Sequence, residues 1–177
     1  QVRIEHGGQV WVASGDYFVS GAGDANASCA AFEPVRCDCF ITESTFGLPV
    51  YRWPPQAEVM GAIDTWWRGN AEAGRASLLL AYSFGKAQRL LAGVDAGIGP
   101  IVVHDAVDTI NTAYRAEGVV LPPTRRLAEV KDKALLRQAL VIAPPGAQSG
   151  AFAKALGDCG DAFASGRIRP RWHWHGR

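Results

Sequence analysis

From Pro55 onward one unit recurs: a short, unbroken apolar run followed by an amphipathic stretch. Residues 77–82 form such a run, and residues 100–103 and 139–143 form two more. Runs without polar alternation suit strands covered on both faces. Between them the spacing predicts helices over residues 58–68 (Val59, Ile63, Trp66), 86–94 (Ala87, Leu90, Leu91, Val94), 106–117 (Val107, Ile110, Tyr114) and 131–137. Gly118 stops the third helix and Pro144-Pro145-Gly146 stops the last strand. Strand–helix–strand alternation requires parallel pairing with right-handed crossovers. The expected class is therefore α/β, with a mainly parallel sheet flanked by helices.

The first fifty residues have another style. Val2 and Ile4, then Gly7-Gly8, then Val10 and Val12 alternate like the arms of a β-hairpin closed by a two-glycine turn. A Gly-, Asp- and Asn-containing loop follows over residues 20–28, and a strand over residues 38–42 whose run Cys39-Phe40-Ile41 reads as buried. Trp53-Pro54-Pro55 reads as a rigid boundary. Residues 166–177 are basic and aromatic without any period, and are expected to fray or dock loosely. The division expected is 1–48, 49–165 and a tail over 166–177.

A chain of 177 residues needs no disulfide or metal merely to fold. Lys plus Arg is 18 and Asp plus Glu is 17, so a nucleic-acid partner would have to be held by a local patch, not by a global field. No apolar window approaches the length of a membrane span, and no leader pattern opens the chain. Cys37-x-Cys39 has neither a zinc-ribbon nor a redox spacing. A buried, inert Cys39 thiol and a reducing, cytoplasmic compartment are the expectation, with no membrane partner.

Two acids end strands. The second hairpin arm runs into Gly15-Asp16-Tyr17, and the next strand into Thr42-Glu43-Ser44. Each acid either caps its own turn or faces a site at the carboxyl end of the sheet, where α/β proteins bind ligands. His104 also ends a strand. It is read either as a hydrogen-bonded neighbour of a helix-capping Asp105 or as a pocket residue. Ser83-Phe84-Gly85-Lys86 opens a helix directly after a buried strand, so Lys86 and Arg89 are placed to meet a phosphate. The plain alternative is a Ser83 cap with both cations solvated. Arg125-Arg126 is a weaker place of the same kind. One ring of Trp66-Trp67 is expected in the core and the other partly exposed. His6 reads as a surface residue, and His173-x-His175 has spacing that suits adventitious metal capture.

Gly15-Asp16-Tyr17, the segment Phe40 to Gly47 and the segment Tyr82 to Leu91 (YSFGKAQRLL), in that order, resemble the metallo-β-lactamase-fold nucleases that carry a β-CASP insertion. The likeness is strongest to the bacterial ligase-associated DNA exonucleases, related to mRNA 3′-end processing factors. It covers roughly residues 1–165. It implies a partial metallo-β-lactamase sheet in 1–48 and a β-CASP-like part in 49–165. It also implies zinc-dependent phosphodiester hydrolysis: Asp16 as the carboxylate bridging two zinc ions, Glu43 as a catalytic acid that orients a histidine, and Ser83, Lys86, Arg89 and His104 toward the substrate. Implied partners are nucleic acid, DNA before RNA, and an ATP-dependent DNA ligase. Three family segments are absent: H-x-H-x-D-H, G-H-x-x-G-S and S-D-H-A-D. The expectation is the middle of a longer enzyme, inactive by itself. RNA processing, or nucleic-acid binding without hydrolysis, stands as the alternative.

Overall fold

A computed structural model describes residues 1–17, 28, 32–45, 47–48 and 54–164. The loop over 20–28 apart from Ser28, the boundary residue Trp53 and the tail with its two histidines lie outside the described residues.

Strands β1 (Val2–His6) and β2 (Gln9–Ala13) pair antiparallel from Val2↔Ala13 to His6↔Gln9. Gly7 and Gly8 both take positive φ, 58° and 77°, as a tight hairpin turn with the sheet's own twist demands. β3 (Cys39–Ile41) joins β2 in parallel register, Trp11↔Cys39 to Ala13↔Ile41. Asp38 fixes that register twice: its N–H donates to the Val10 carbonyl at 2.8 Å, and its Oδ2 accepts from the Val10 N–H at 2.7 Å. The expected burial of this strand is corrected, since Phe40 is 42% and Ile41 52% exposed. Val2, Ile4, Trp11 and Ile41 share one face by strand parity and register, and all four are exposed. Val12, on the opposite face, is fully buried. An apolar run therefore did not report burial here, because three short strands cannot cover both of their own faces.

The second sheet has five strands: β4 (Ala76–Leu80), β5 (Ile101–Val103), β6 (Arg125–Arg126), β7 (Leu140–Ala143) and β8 (Cys159–Phe163). Their order is β6-β5-β7-β4-β8, with every pair parallel. The helices are α1 (Gln56–Glu72), α2 (Lys86–Leu91), α3 (Asp105–Ala116), α4 (Lys133–Arg137) and α5 (Ala151–Leu156). The α/β class with a mainly parallel sheet is as expected.

Handedness sorts the helices. The crossovers β4–α2–β5 and β5–α3–β6 run one way along the sheet, whereas β6–α4–β7 and β7–α5–β8 run the other. Right-handed crossovers running in opposite senses must lie on opposite faces. Side chains agree: Ile63, Leu91 and Val107 from α1, α2 and α3 pack with Leu79, Val103 and Ile142, while Leu136 and Leu156 from α4 and α5 pack with Leu78, Val102 and Val141. Both indoles of the tryptophan pair are buried, Trp66 at 8% and Trp67 at 0% exposure, so the expectation of one partly exposed ring is corrected. Trp67 Nε1 donates to the Gln138 carbonyl at 2.8 Å, which satisfies its polar atom inside the core.

The sequence reading passes over α5 and β8, whose segment Cys-Gly-Asp-Ala-Phe has no strand pattern. Pairing with β4 makes it a strand. Gly160 is required there. A Cβ at that position would lie 2.7 Å from Asn70 Nδ2, and Asn70 itself is held by Ser77 and Arg75.

Candidate functional site

Because all five strands are parallel, their carboxyl ends share one edge. Along that edge β5 and β7 are neighbours, yet their following helices leave for opposite faces and in opposite directions. Such a divergence is the usual ligand position in open α/β sheets. His104 stands there. Its N–H donates to the Ile142 carbonyl of β7 at 3.0 Å, and its ring lies 4.9 Å from the Phe152 ring of α5. His104 caps α3 itself: Nδ1 accepts from the Ala106 N–H at 3.1 Å. The expected Asp105 cap is thus corrected, since Asp105 is the first helical residue. An accepting Nδ1 places the neutral ring's proton on Nε2, which makes that atom the donor for a ligand.

Two strands away, residues 82–86 fold tightly from β4 into α2. The Lys86 N–H donates to the Phe84 carbonyl at 2.8 Å and the Ala87 N–H to the Tyr82 carbonyl at 3.1 Å. The cap of α2 is Gly85, at φ 72° and ψ −58°, and no side chain caps the helix. Ser83 is therefore not the cap, and the plain reading of this turn is corrected. Lys86 is half-buried and not freely solvated. Burial, then the neighbouring Arg89 charge, pushes its ammonium pKa below the ordinary lysine value. Its Nζ lies 5.6 Å from the centroid of the Tyr82 ring. Arg89 is partly buried and donates from Nη2 to Gln56 Oε1 at 2.8 Å. Arg126 at the end of β6 is bound by Glu129 and lies 4.0 Å from Asp108.

The structure gathers Ser83, Lys86, Arg89 and His104 on the carboxyl edge of the five-stranded sheet. Asp16 and Glu43 stand on the other sheet. They follow the carboxyl ends of β2 and β3, which are parallel neighbours with Ala13 opposite Ile41. The Ser14 N–H extends this pairing to the Ile41 carbonyl at 3.0 Å. Glu43 Oε2 accepts from the Thr45 N–H at 2.7 Å, so this carboxylate serves its own turn. Hydrogen bonds from Thr45 hold its pKa below the ordinary glutamate value. Both acids are exposed. Among the described residues no cluster of three or more His, Cys, Asp or Glu side chains could hold a metal ion. No described helix is long and apolar enough to cross a membrane.

Sequence reasoning missed Tyr82 and Phe84 as surface features. Tyr82 is 61% and Phe84 72% exposed, directly after a strand that is buried throughout. The reading of residues 77–82 as one buried strand is corrected at its end, since β4 stops at Leu80 and Tyr82 is exposed.

No family model matches this chain, and no solved structure matches it. It is similar to a curated protein from Opitutus terrae described as "Probable DNA ligase", with 30% identity over 152 residues. The matched region is 86% of this chain and 14% of that protein. The chain thus spans a small part of the curated relative it matches.

Proposed function

We propose that this chain is a DNA-engaging module of a protein that processes DNA ends in concert with ligation. The observation that supports it is the 30% identity, over 86% of the chain, to a segment of a protein described as a probable DNA ligase. The carboxyl edge offers suitable chemistry. A half-buried ammonium beside a guanidinium is relieved by an anion, and the phosphodiester backbone is the anion of a DNA partner. His104, at the switch point, has Nδ1 engaged by the Ala106 N–H and offers Nε2 as a hydrogen-bond donor.

The finer reading is exonucleolytic hydrolysis of phosphodiester bonds, on the strength of the ordered motifs around Asp16, Glu43 and Ser83–Lys86. The described residues do not fit a zinc pair, since no group of three possible ligands exists among them and Glu43 is bound to its own turn. Zinc chemistry of the family's kind needs ligands other than these. The role assigned to this chain is therefore binding and positioning of a DNA end, with Asp16 and Glu43 held on one sheet edge.

Fluorescence anisotropy with a labelled duplex carrying a 3′ overhang tests this reading. Binding is expected to weaken as salt rises, and Lys86→Ala should lower the magnitude of the salt slope by about 1. Absence of binding at low salt would remove the proposal. Tighter binding of the same sequence as RNA would move it to RNA processing. Zinc-dependent cleavage that is lost in Asp16→Asn would show that the chain is itself a nuclease.

A further inference from the structure

We propose that the loop joining β4 to α2 is a stacking platform for the unpaired end of a nucleic-acid strand. Phe84 and Tyr82 take bases, and Lys86 takes an adjoining phosphate. The inference rests on the DNA-engaging reading and adds to it the residues that would distinguish an unpaired strand from a duplex.

Its first support is the exposure of two large aromatic side chains in one short turn, 61% and 72%, on the ligand-binding edge of a parallel sheet. Surface aromatics scattered singly need no explanation, but paired ones beside cations do. The second is that the turn is closed by its own hydrogen bonds. The hydrogen bonds from the Lys86 and Ala87 amides hold the carbonyls of Phe84 and Tyr82. The Phe84 ring is braced edge-on by Tyr114, with centroids 6.3 Å apart and planes inclined at 72°. A ring already held in place loses little freedom when a base stacks on it. The third is charge. Lys86 Nζ lies over one face of the Tyr82 ring, 5.6 Å from its centroid, so a base stacked on the opposite face brings its own phosphate toward an ammonium. Among the acids near this edge, Asp108 is drawn to Arg126 at 4.0 Å, and Asp105 also acts on Arg126. Neither neutralises Lys86.

Base–aromatic stacking tolerates any sequence because every base has a π-face, whereas a duplex hides those faces within itself. The platform therefore selects unpaired strands without selecting sequence.

The experiment is fluorescence anisotropy of the full chain with a labelled twelve-residue oligothymidylate, competed by a blunt duplex, with Phe84→Ala, Tyr82→Ala, Phe84→Leu and Phe84→Trp. Each alanine variant is expected to lose on the order of ten-fold in affinity for the single strand. Phe84→Trp should retain wild-type binding. Phe84→Leu, which keeps apolar bulk in an exposed position, should lose as much as alanine. Binding of the blunt duplex should not change. If all variants bind the single strand as the wild type does, the platform is overturned while the DNA-engaging reading stands. If the wild type binds neither oligonucleotide, both fall. If sedimentation shows that Phe84→Ala abolishes self-association and leaves oligonucleotide binding intact, the rings serve a protein interface and the platform is likewise overturned.

Discussion

At the residue scale, Glu43 shows how a carboxylate that looks like a site residue serves a turn. Thr45 donates to it, and its pKa falls below the ordinary value of 4.5. A depressed carboxylate pKa contributes stability that is present above the unfolded value and is lost as pH falls through the folded one. An NMR titration of the Glu43 carboxyl carbon should give a midpoint below 4.5. In Thr45→Pro, which removes both the side-chain hydroxyl and the backbone N–H, the midpoint should return toward the ordinary value. A midpoint unchanged by that substitution would show that the turn does not hold the acid. Lys86 has a different origin, because burial and then the like charge of Arg89 depress it. An anion beside it would offset both effects.

At the element scale, α2 and α3 meet through a polar pair. Gln88 Nε2 donates to Asn111 Oδ1 at 2.8 Å, and both residues are fully buried. Gln88 Oε1 and Asn111 Nδ2 have no hydrogen-bond partner. An unsatisfied buried polar group costs about 1–3 kcal/mol, whereas replacing both partners by apolar groups of similar shape removes the penalty. The double variant Gln88→Leu/Asn111→Leu should therefore match or exceed the wild type in urea denaturation, while Gln88→Leu alone should be destabilised because Asn111 is left wholly unpaired. The singles and the double together form a cycle, and additivity would show that the pair does not interact. Phe84 also meets Tyr114 of α3, so the α2–α3 contact bears on the exposed turn.

At the scale of the whole molecule, α1 lies across the five-stranded sheet and Trp67 is its deepest anchor. The indole is fully buried, and it reaches the Gln138 carbonyl just before β7. Trp67→Ala should cost about 3–5 kcal/mol in chemical denaturation, from lost transfer and the cavity left behind. Trp67→Phe should cost less, but should still leave the Gln138 carbonyl without its donor. A loss below about 1 kcal/mol for the alanine variant would mean that α1 is not integral to the core. The hairpin sheet contrasts with this. Its apolar residues Val2, Ile4, Trp11 and Ile41 remain exposed, so the same hydrophobic vocabulary that builds one sheet's core leaves the other's face open.

What the sequence determined by itself is local. Continuous apolar runs with helical spacing between them could only become buried parallel strands with crossovers, because backbone groups must pair and each amphipathic face must be covered. The Gly7-Gly8 turn was equally legible, since few other residues take positive φ twice in succession. What only the tertiary structure decided is which strands are neighbours. Order β6-β5-β7-β4-β8 brings His104 to a switch point and recruits the unpromising segment of β8 through pairing with β4, while the separate order β1-β2-β3 leaves Phe40 and Ile41 open. It also shows that Gly85 and His104, not Ser83 and Asp105, cap the two helices at the candidate site. Caps and burial depend on groups brought from elsewhere in the chain, and periodicity along one segment carries no information about what will lie across from it.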